Sequence, residues 1–137
     1  MRGGTIIPTR RNGARIMARS STHSAQALAD YEHRYRELAG QVADIGLIRS
    51  GSIALRHNRC GKPNCRCHAD PPQLHGPYWQ WTTKIDGKTV NRRLTPAQAE
   101  LYAEWINNDR QLQALIGQMR EVAAKATELR LAQASEV

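Results

Sequence analysis

Between Ser24 and Ile48, apolar residues recur in steps of three and four: Leu28, Tyr31, Tyr35, Leu38, Val42 and Ile45. A single stripe at that period marks an amphipathic helix. It predicts a helix over residues 23–50, ended by Arg49, Ser50 and Gly51, with Gly51 free to take the left-handed conformation after the last turn. The period then changes. "SIALRHNRC" sets Ile53, Leu55 and His57 against Ala54, Arg56 and Asn58, which reads as a first strand. In "YWQWTTKIDGKTVNRRL", Asp86-Gly87 lies between two alternating runs, and a tight type I′ hairpin turn needs positive φ at both central positions. A two-residue loop makes Ile85 face Lys88 and continues the pairing as Thr83–Val90, Trp81–Arg92 and Trp79–Leu94. That face is mostly apolar and is expected to cover a core. The other face carries Gln80, Thr82, Lys84, Thr89, Asn91 and Arg93, with no acidic side chain.

"TPAQ" predicts a helix start, with Thr95 as N-cap, Pro96 at the first helical position and Gln98 completing a capping box. Beyond it, Leu101, Trp105, Asn108, Leu112, Leu115, Met119, Val122, Ala126 and Leu129 keep an unbroken heptad register. Asn108 occupies an a position, where a buried amide can fix register. The two stripes can pack on each other as an antiparallel hairpin, or pair with a second copy of the chain. The C-terminal stripe is the longer, which favours dimerisation through that helix. The expected fold is α+β: a small antiparallel β-sheet with a zinc knuckle, flanked by two long helices forming a helical hairpin or coiled coil. Its expected segments are a disordered basic arm over 1–22, an N-terminal helix over 23–50, a zinc-knuckle sheet over 51–95 and a heptad helix over 96–134. The arm is rich in glycine and arginine and lacks apolar periodicity; an acid-poor start of this kind also fits a transit peptide.

Charge sharpens this picture. The formal net charge is +8 at pH 7 over 137 residues. Five arginines and no acid lie in residues 1–20, and nine basic residues against two acids lie in residues 49–93. The segments after each are mildly acidic. Positive charge concentrated on the middle of the chain points to a polyanion partner, most simply nucleic acid; the bland alternative is a solvated basic surface. No apolar run approaches membrane-spanning length and no signal-peptide core opens the sequence, so a cytoplasmic location is expected.

Three cysteines and a histidine carry the candidate chemistry. Cys60, Cys65 and Cys67 are spaced C-x4-C-x-C, and His75 follows. Thiolates with an imidazole suit a tetrahedral zinc site of the Cys3His type, and a small sheet usually needs a metal, disulfides or oligomerisation to hold it. Gly61 to Asn64 can form the tight loop between the first two thiolates, and Pro71 and Pro72 stiffen the return. His68 competes with His75 as fourth ligand but adjoins Cys67. Lys62 and Arg66 would partly offset the net negative charge of such a site. Free buried thiols, a Cys65/Cys67 redox pair and an iron–sulfur cluster are the competing readings, the last short of one cysteine. Catalytic zinc would ask for a nearby general base, and between Cys60 and Trp81 the only carboxylate is Asp70.

"GSIALRHNRCGKPNCRC" followed by "HGPYWQWTTKIDGKTVNRRLTPAQ" resembles a widespread bacterial, archaeal and phage family of unknown function. Its members share Cys-Gly-Lys-Pro-x-Cys-x-Cys, then His-Gly-Pro-Tyr, a Gly-Lys hairpin and a long helix. The resemblance covers about residues 50–130. It implies that Cys60, Cys65, Cys67 and His75 are the motif positions, and it hints at a link to mobile elements.

Two functions fit these residues. In the first, the chain is a zinc-stabilised nucleic-acid-binding accessory protein. Gln80, Thr82, Lys84, Asn91 and Arg93 would meet base edges in a groove, while Arg56, Arg59, Lys62, Arg66 and Lys88 would meet phosphates, DNA being the expected partner. In the second, it is a non-catalytic protein–protein adapter that dimerises or recruits a partner through its heptad helix. An enzyme is not expected: the chain has no paired carboxylates at useful spacing, no phosphate-cradling glycine loop and no nucleophile–base motif.

Overall fold

The computed structural model of the chain describes residues 6–135, with side chains from Thr22 onward. The elements are α1 (Ile6–Val42), β1 (Ser52–Asn58), β2 (His75–Ile85), β3 (Lys88–Leu94) and α2 (Pro96–Ser135), with a short 3-10 turn at Arg66–His68. The expected class holds: one antiparallel three-stranded sheet, in the order β1-β2-β3, together with two long helices. Of the disordered arm expected over 1–22, residues 1–5 lie outside the described residues, and residues 6–22 are helical, with side chains described from Thr22 only. Among the described residues no helix is long and apolar enough to cross a membrane.

The chain divides into two compact units, and α2 supplies residues to both. The sheet unit, Ile45–Gln113, is ordered by its hairpin. Asp86 (φ 52°) and Gly87 (φ 77°) adopt the positive φ values that the turn needs. The register runs Ile85–Lys88, Thr83–Val90, Trp81–Arg92 and Trp79–Leu94, as the alternation predicts. β1 adds to the free edge of β2, with Ile53 opposite Trp81 and Leu55 opposite Trp79. One face of this sheet meets the start of α2: Trp81, Leu94, Ala99, Tyr102 and Ile106 form the buried cluster, with Ile53, Trp79, Val90 and Trp105 packed against it. The capping box closes in both directions, the Thr95 N–H donating to Gln98 Oε1 (2.9 Å) and the Gln98 N–H to Thr95 Oγ1 (3.2 Å).

Three expectations are corrected. The N-terminal helix ends at Val42 rather than near residue 50. Residues 45–50 are irregular, and their backbone is satisfied elsewhere in the unit: the Arg49 N–H donates to the Trp105 carbonyl (3.1 Å), and the Asn108 amide donates to the Leu47 carbonyl (2.8 Å). Asn108 thus anchors this segment instead of setting a helix–helix register. The second correction concerns α2, whose heptad stripe does not hold in its first turns. Leu101 is 48% exposed, while Tyr102 (6%) and Ile106 (5%) are buried, because here the sheet covers the helix and selects the neighbouring face. From Leu112 to Leu129 the stripe residues are half-buried or buried as expected.

Gly51 is not a helix cap. It has φ +106°, and a Cβ there would lie 2.5 Å from the Thr82 carbonyl oxygen and 2.6 Å from Trp81 Nε1. The crowding follows from Trp81, whose indole N–H donates to the Ser50 carbonyl (2.9 Å). Gly51→Ala is therefore expected to cost about 2–4 kcal/mol, from a strained φ and a backbone clash together. A chemical-denaturation midpoint measures the loss, and an unchanged midpoint would contradict it. Arg49 is held in the same place, its guanidinium 4.6 Å from the Trp81 ring centre and 4.7 Å from that of Tyr102.

The second unit comprises residues up to Asp44 and from Ala114 onward. Along α1, Leu28 and Leu38 are buried and Tyr31 and Val42 half-buried, as the stripe predicts, whereas Tyr35 is exposed. Arg130 of α2 forms an ion pair with Glu32 of α1, and the Lys125 ammonium lies 5.8 Å from the Tyr31 ring centre. These contacts are those of a helical hairpin.

Candidate metal centre and polar sheet face

Strand pairing creates the candidate metal centre. β1 and β2 stay paired out to Asn58 opposite His75, across an irregularity between Arg56 and Asn58, so the loop over 59–74 leaves and re-enters the sheet at adjacent points. Cys60 departs just after β1 and His75 opens β2. Between them, the Cys65 N–H donates to the Lys62 carbonyl (3.1 Å) and closes the Gly61–Asn64 turn. Cys65 then caps the 3-10 turn, whose central residue, Cys67, is fully buried. The Gln73 N–H donates to the Arg66 carbonyl (3.1 Å) and brings the Pro71–Pro72 return back to the turn.

As a result the thiols of Cys60, Cys65 and Cys67 and the ring of His75 offer four donor atoms within 4.8 Å of one another, and these residues could hold a metal ion. Cys60 Sγ and Cys67 Sγ are 3.6 Å apart, and Cys65 Sγ and His75 Nε2 are 3.3 Å apart. Bonds of about 2.3 Å to sulfur and about 2.0 Å to nitrogen give a tetrahedron with edges of roughly 3.5–3.8 Å, so the donor set fits an ion of zinc's size with little movement. The Cys60 N–H also points at Cys67 Sγ (3.3 Å), a hydrogen bond that favours the thiolate. His68 is not among the four. Its Nε2 lies 2.7 Å from the Cys60 carbonyl oxygen, where it braces the loop beside the donors.

The thiols are not equivalent. Burial pushes Cys67 above its ordinary value of 9.0. Cys65 is lowered to about 6, chiefly by a hydrogen bond from the Cys67 backbone, then by the side chains of Cys60 and Cys67, with His75 adding to the effect. A depressed value contributes at high pH: the contribution is complete above 9.0 and is lost as the pH falls through about 6. Ligation needs thiolates, so metal affinity is expected to fall with acidification, and to fall more steeply once the pH drops below about 6 and Cys65 too is protonated. Metal release to a chromophoric chelator across a pH series measures this, and an affinity that is flat from neutral pH to below 6 would contradict it.

The outward face of the sheet adjoins this centre. Alternation places Tyr78, Gln80, Thr82 and Lys84 of β2 there, with Asn91 and Arg93 of β3 opposite Thr82 and Gln80, and Arg56 of β1 opposite Tyr78. Thr82 Oγ1 donates to Asn91 Oδ1 (2.9 Å), which orients the Asn91 amide with its N–H2 available. The Arg93 guanidinium lies over the Tyr78 ring, 3.7 Å from its centre. Arg59 follows β1, while Lys62 and Arg66 project from the loop and are exposed. Among the described residues, none of Arg56, Arg59, Lys62, Arg66, Lys84 and Arg93 forms an ion pair. Lys88 is not part of this group, because its register opposite Ile85 puts it on the other face. Tyr78 belongs beside the site residues; it shares the parity of Gln80, a signal that was present in the sequence.

A family model described as a domain of unknown function, DUF6788, matches residues 28–103, and the chain belongs to that family. The match takes in the cysteine cluster and the whole sheet. No curated protein and no solved structure matches the chain.

Proposed function

We propose that this family member is a non-catalytic, zinc-stabilised nucleic-acid-binding protein that presents the outward face of its sheet to DNA. Zinc is the ion best suited to three thiolates and one imidazole at tetrahedral spacing, and with four protein ligands its role is structural. Cys60, Cys65, Cys67 and His75 would hold it, tying the loop between β1 and β2 to the strands that carry the polar face.

The observation that carries the binding reading is the composition of that face. Gln80, Thr82, Asn91 and Arg93 form a continuous donor- and acceptor-bearing patch free of acidic groups, with Arg56 and Lys84 on the same face and Arg59, Lys62 and Arg66 in the loop that leaves β1. Gln, Asn and Arg make bidentate contacts to adenine and guanine edges, and the surrounding cations suit phosphates. Titration of a labelled duplex by fluorescence anisotropy, with Gln80, Asn91 and Arg93 each replaced by alanine, tests the reading. Weaker binding in all three variants is expected, and affinity unchanged by every replacement would favour an adapter that works through its helices.

A further inference from the structure

A pocket of about 400 Å³ opens where the outward face meets the metal centre, bounded by Asn58, Arg59, Tyr78 and Arg93, with Cys60 and His75 from the metal cluster at its side. That volume is within the range of ligand-binding clefts, roughly 300–1,000 Å³. Its chemistry is specific. It holds two guanidinium groups and no carboxylate, together with a phenol and an amide. Among the described residues neither Arg59 nor Arg93 has an ion-pair partner. Arg93 is already pre-oriented, lying over Tyr78 at 3.7 Å from the ring centre, so its in-plane N–H groups and outer face remain available.

We propose that this pocket takes one unpaired nucleotide, its phosphate held by Arg59 and its base laid on the Arg93–Tyr78 stack. The proposal rests on the nucleic-acid reading above and adds a substrate class: DNA with an unpaired nucleotide next to a duplex. The reason is shape. A base pair within a duplex presents its edges at the floor of a groove, where a protruding element can reach them. A concave pocket can receive a base only when that base has left the stack, and bases that do so are held by stacking on aromatic rings or guanidinium planes. Tyr78 and Arg93 supply both surfaces in one place. Asn58 offers an amide to a base edge, and the ion-binding residues fix one wall, since Cys60 and His75 belong to pocket and metal set alike.

The test compares three labelled probes by fluorescence anisotropy on the zinc-loaded chain: a blunt duplex, the same duplex with a single-stranded overhang, and the overhang strand alone at about 12 nucleotides. The overhang duplex is expected to bind about tenfold tighter than the blunt one, the gain of stacking one base. Tyr78→Leu, which removes the ring without changing the charge, should bring the ratio of overhang to blunt-duplex affinity down to about one. Arg59→Gln should also reduce it, and zinc content with far-ultraviolet circular dichroism shows whether each variant is folded. Equal affinity for blunt and overhang duplexes, or a preference that survives in folded Tyr78→Leu, overturns the pocket and leaves the sheet-face reading standing. Failure of every probe to bind overturns both.

Discussion

If the proposed centre holds zinc, Cys67→Ser is expected to abolish metal binding and, with it, the ordered structure of the sheet unit. Cys67 is the sole buried residue in the whole loop over 59–74; every other position there is exposed or half-buried. Apart from the contacts of the thiols themselves, the hydrogen bonds that shape the loop are a few backbone turns and the His68 brace. Nothing apolar replaces the ion there. The remaining core is a cluster of five buried side chains, Trp81, Leu94, Ala99, Tyr102 and Ile106. A small domain draws about 5–15 kcal/mol of net stability from far larger opposing terms, and structural zinc in zinc-finger peptides binds with an apparent 10–16 kcal/mol or so. Losing the ion is thus comparable with the whole stability of the unit. Near-ultraviolet circular dichroism reads this directly, because Trp79, Trp81 and Trp105 all belong to the sheet core. Cys67→Ser, like wild-type chain treated with a strong chelator, should lose the tryptophan signal and the cooperative thermal transition. A variant that keeps both would show that hydrophobic packing alone holds the sheet.

The proposed DNA binding predicts the second large effect, on affinity in salt. Among the described residues, the five cations Arg56 and Lys84 on the outward face and Arg59, Lys62 and Arg66 in the loop that leaves β1 have no ion-pair partner. If each neutralises one phosphate, the logarithm of affinity falls against the logarithm of salt with a slope of about −4.5 for duplex DNA, which is roughly 500-fold between 50 and 200 mM. Replacing one of these residues, for example Lys84→Ala, should reduce the slope by about one unit and weaken binding to all sequences alike. Alanine at Gln80 or Asn91 should leave the slope intact and cost about 1–3 kcal/mol at preferred sequences alone, the expected cost of a lost base contact. A slope near zero would mean that the positive face does not engage phosphates.

The hairpin was fully legible in the sequence, because a two-residue turn with positive φ and a strict period of two leave one register. A slip of one residue would have turned Trp79, Trp81 and Leu94 outward. The capping box at Thr95 and Gln98 was equally local. The gathering of Cys60, Cys65, Cys67 and His75 was legible for a chemical reason, since three thiols and an imidazole at this spacing suit a common ion. The choice between His68 and His75 needed strand pairing, which sets His75 at the base of the loop opposite Asn58. The end of α1 was not legible. Ile45 continues the helical phase of Leu38 and Val42, and what draws residues 45–50 away is bonding to Trp105 and Asn108, some sixty positions along the chain. The buried face of α2 was hidden likewise. Leu101 and Trp105 form one apolar stripe, Ala99, Tyr102 and Ile106 another, and only the presence of the sheet decides between them. The seat of Arg49 against Trp81 and Tyr102 depends on the same tertiary placement.

X-ray absorption at the zinc edge, on full-length chain with its metal content measured, examines the proposed centre itself. One zinc per chain is expected, in a shell of three sulfurs at about 2.3 Å and one nitrogen at about 2.0 Å, with the nitrogen lost in His75→Ala. A folded chain without stoichiometric zinc, or a shell unchanged by His75→Ala, would contradict the centre on which the sheet face depends.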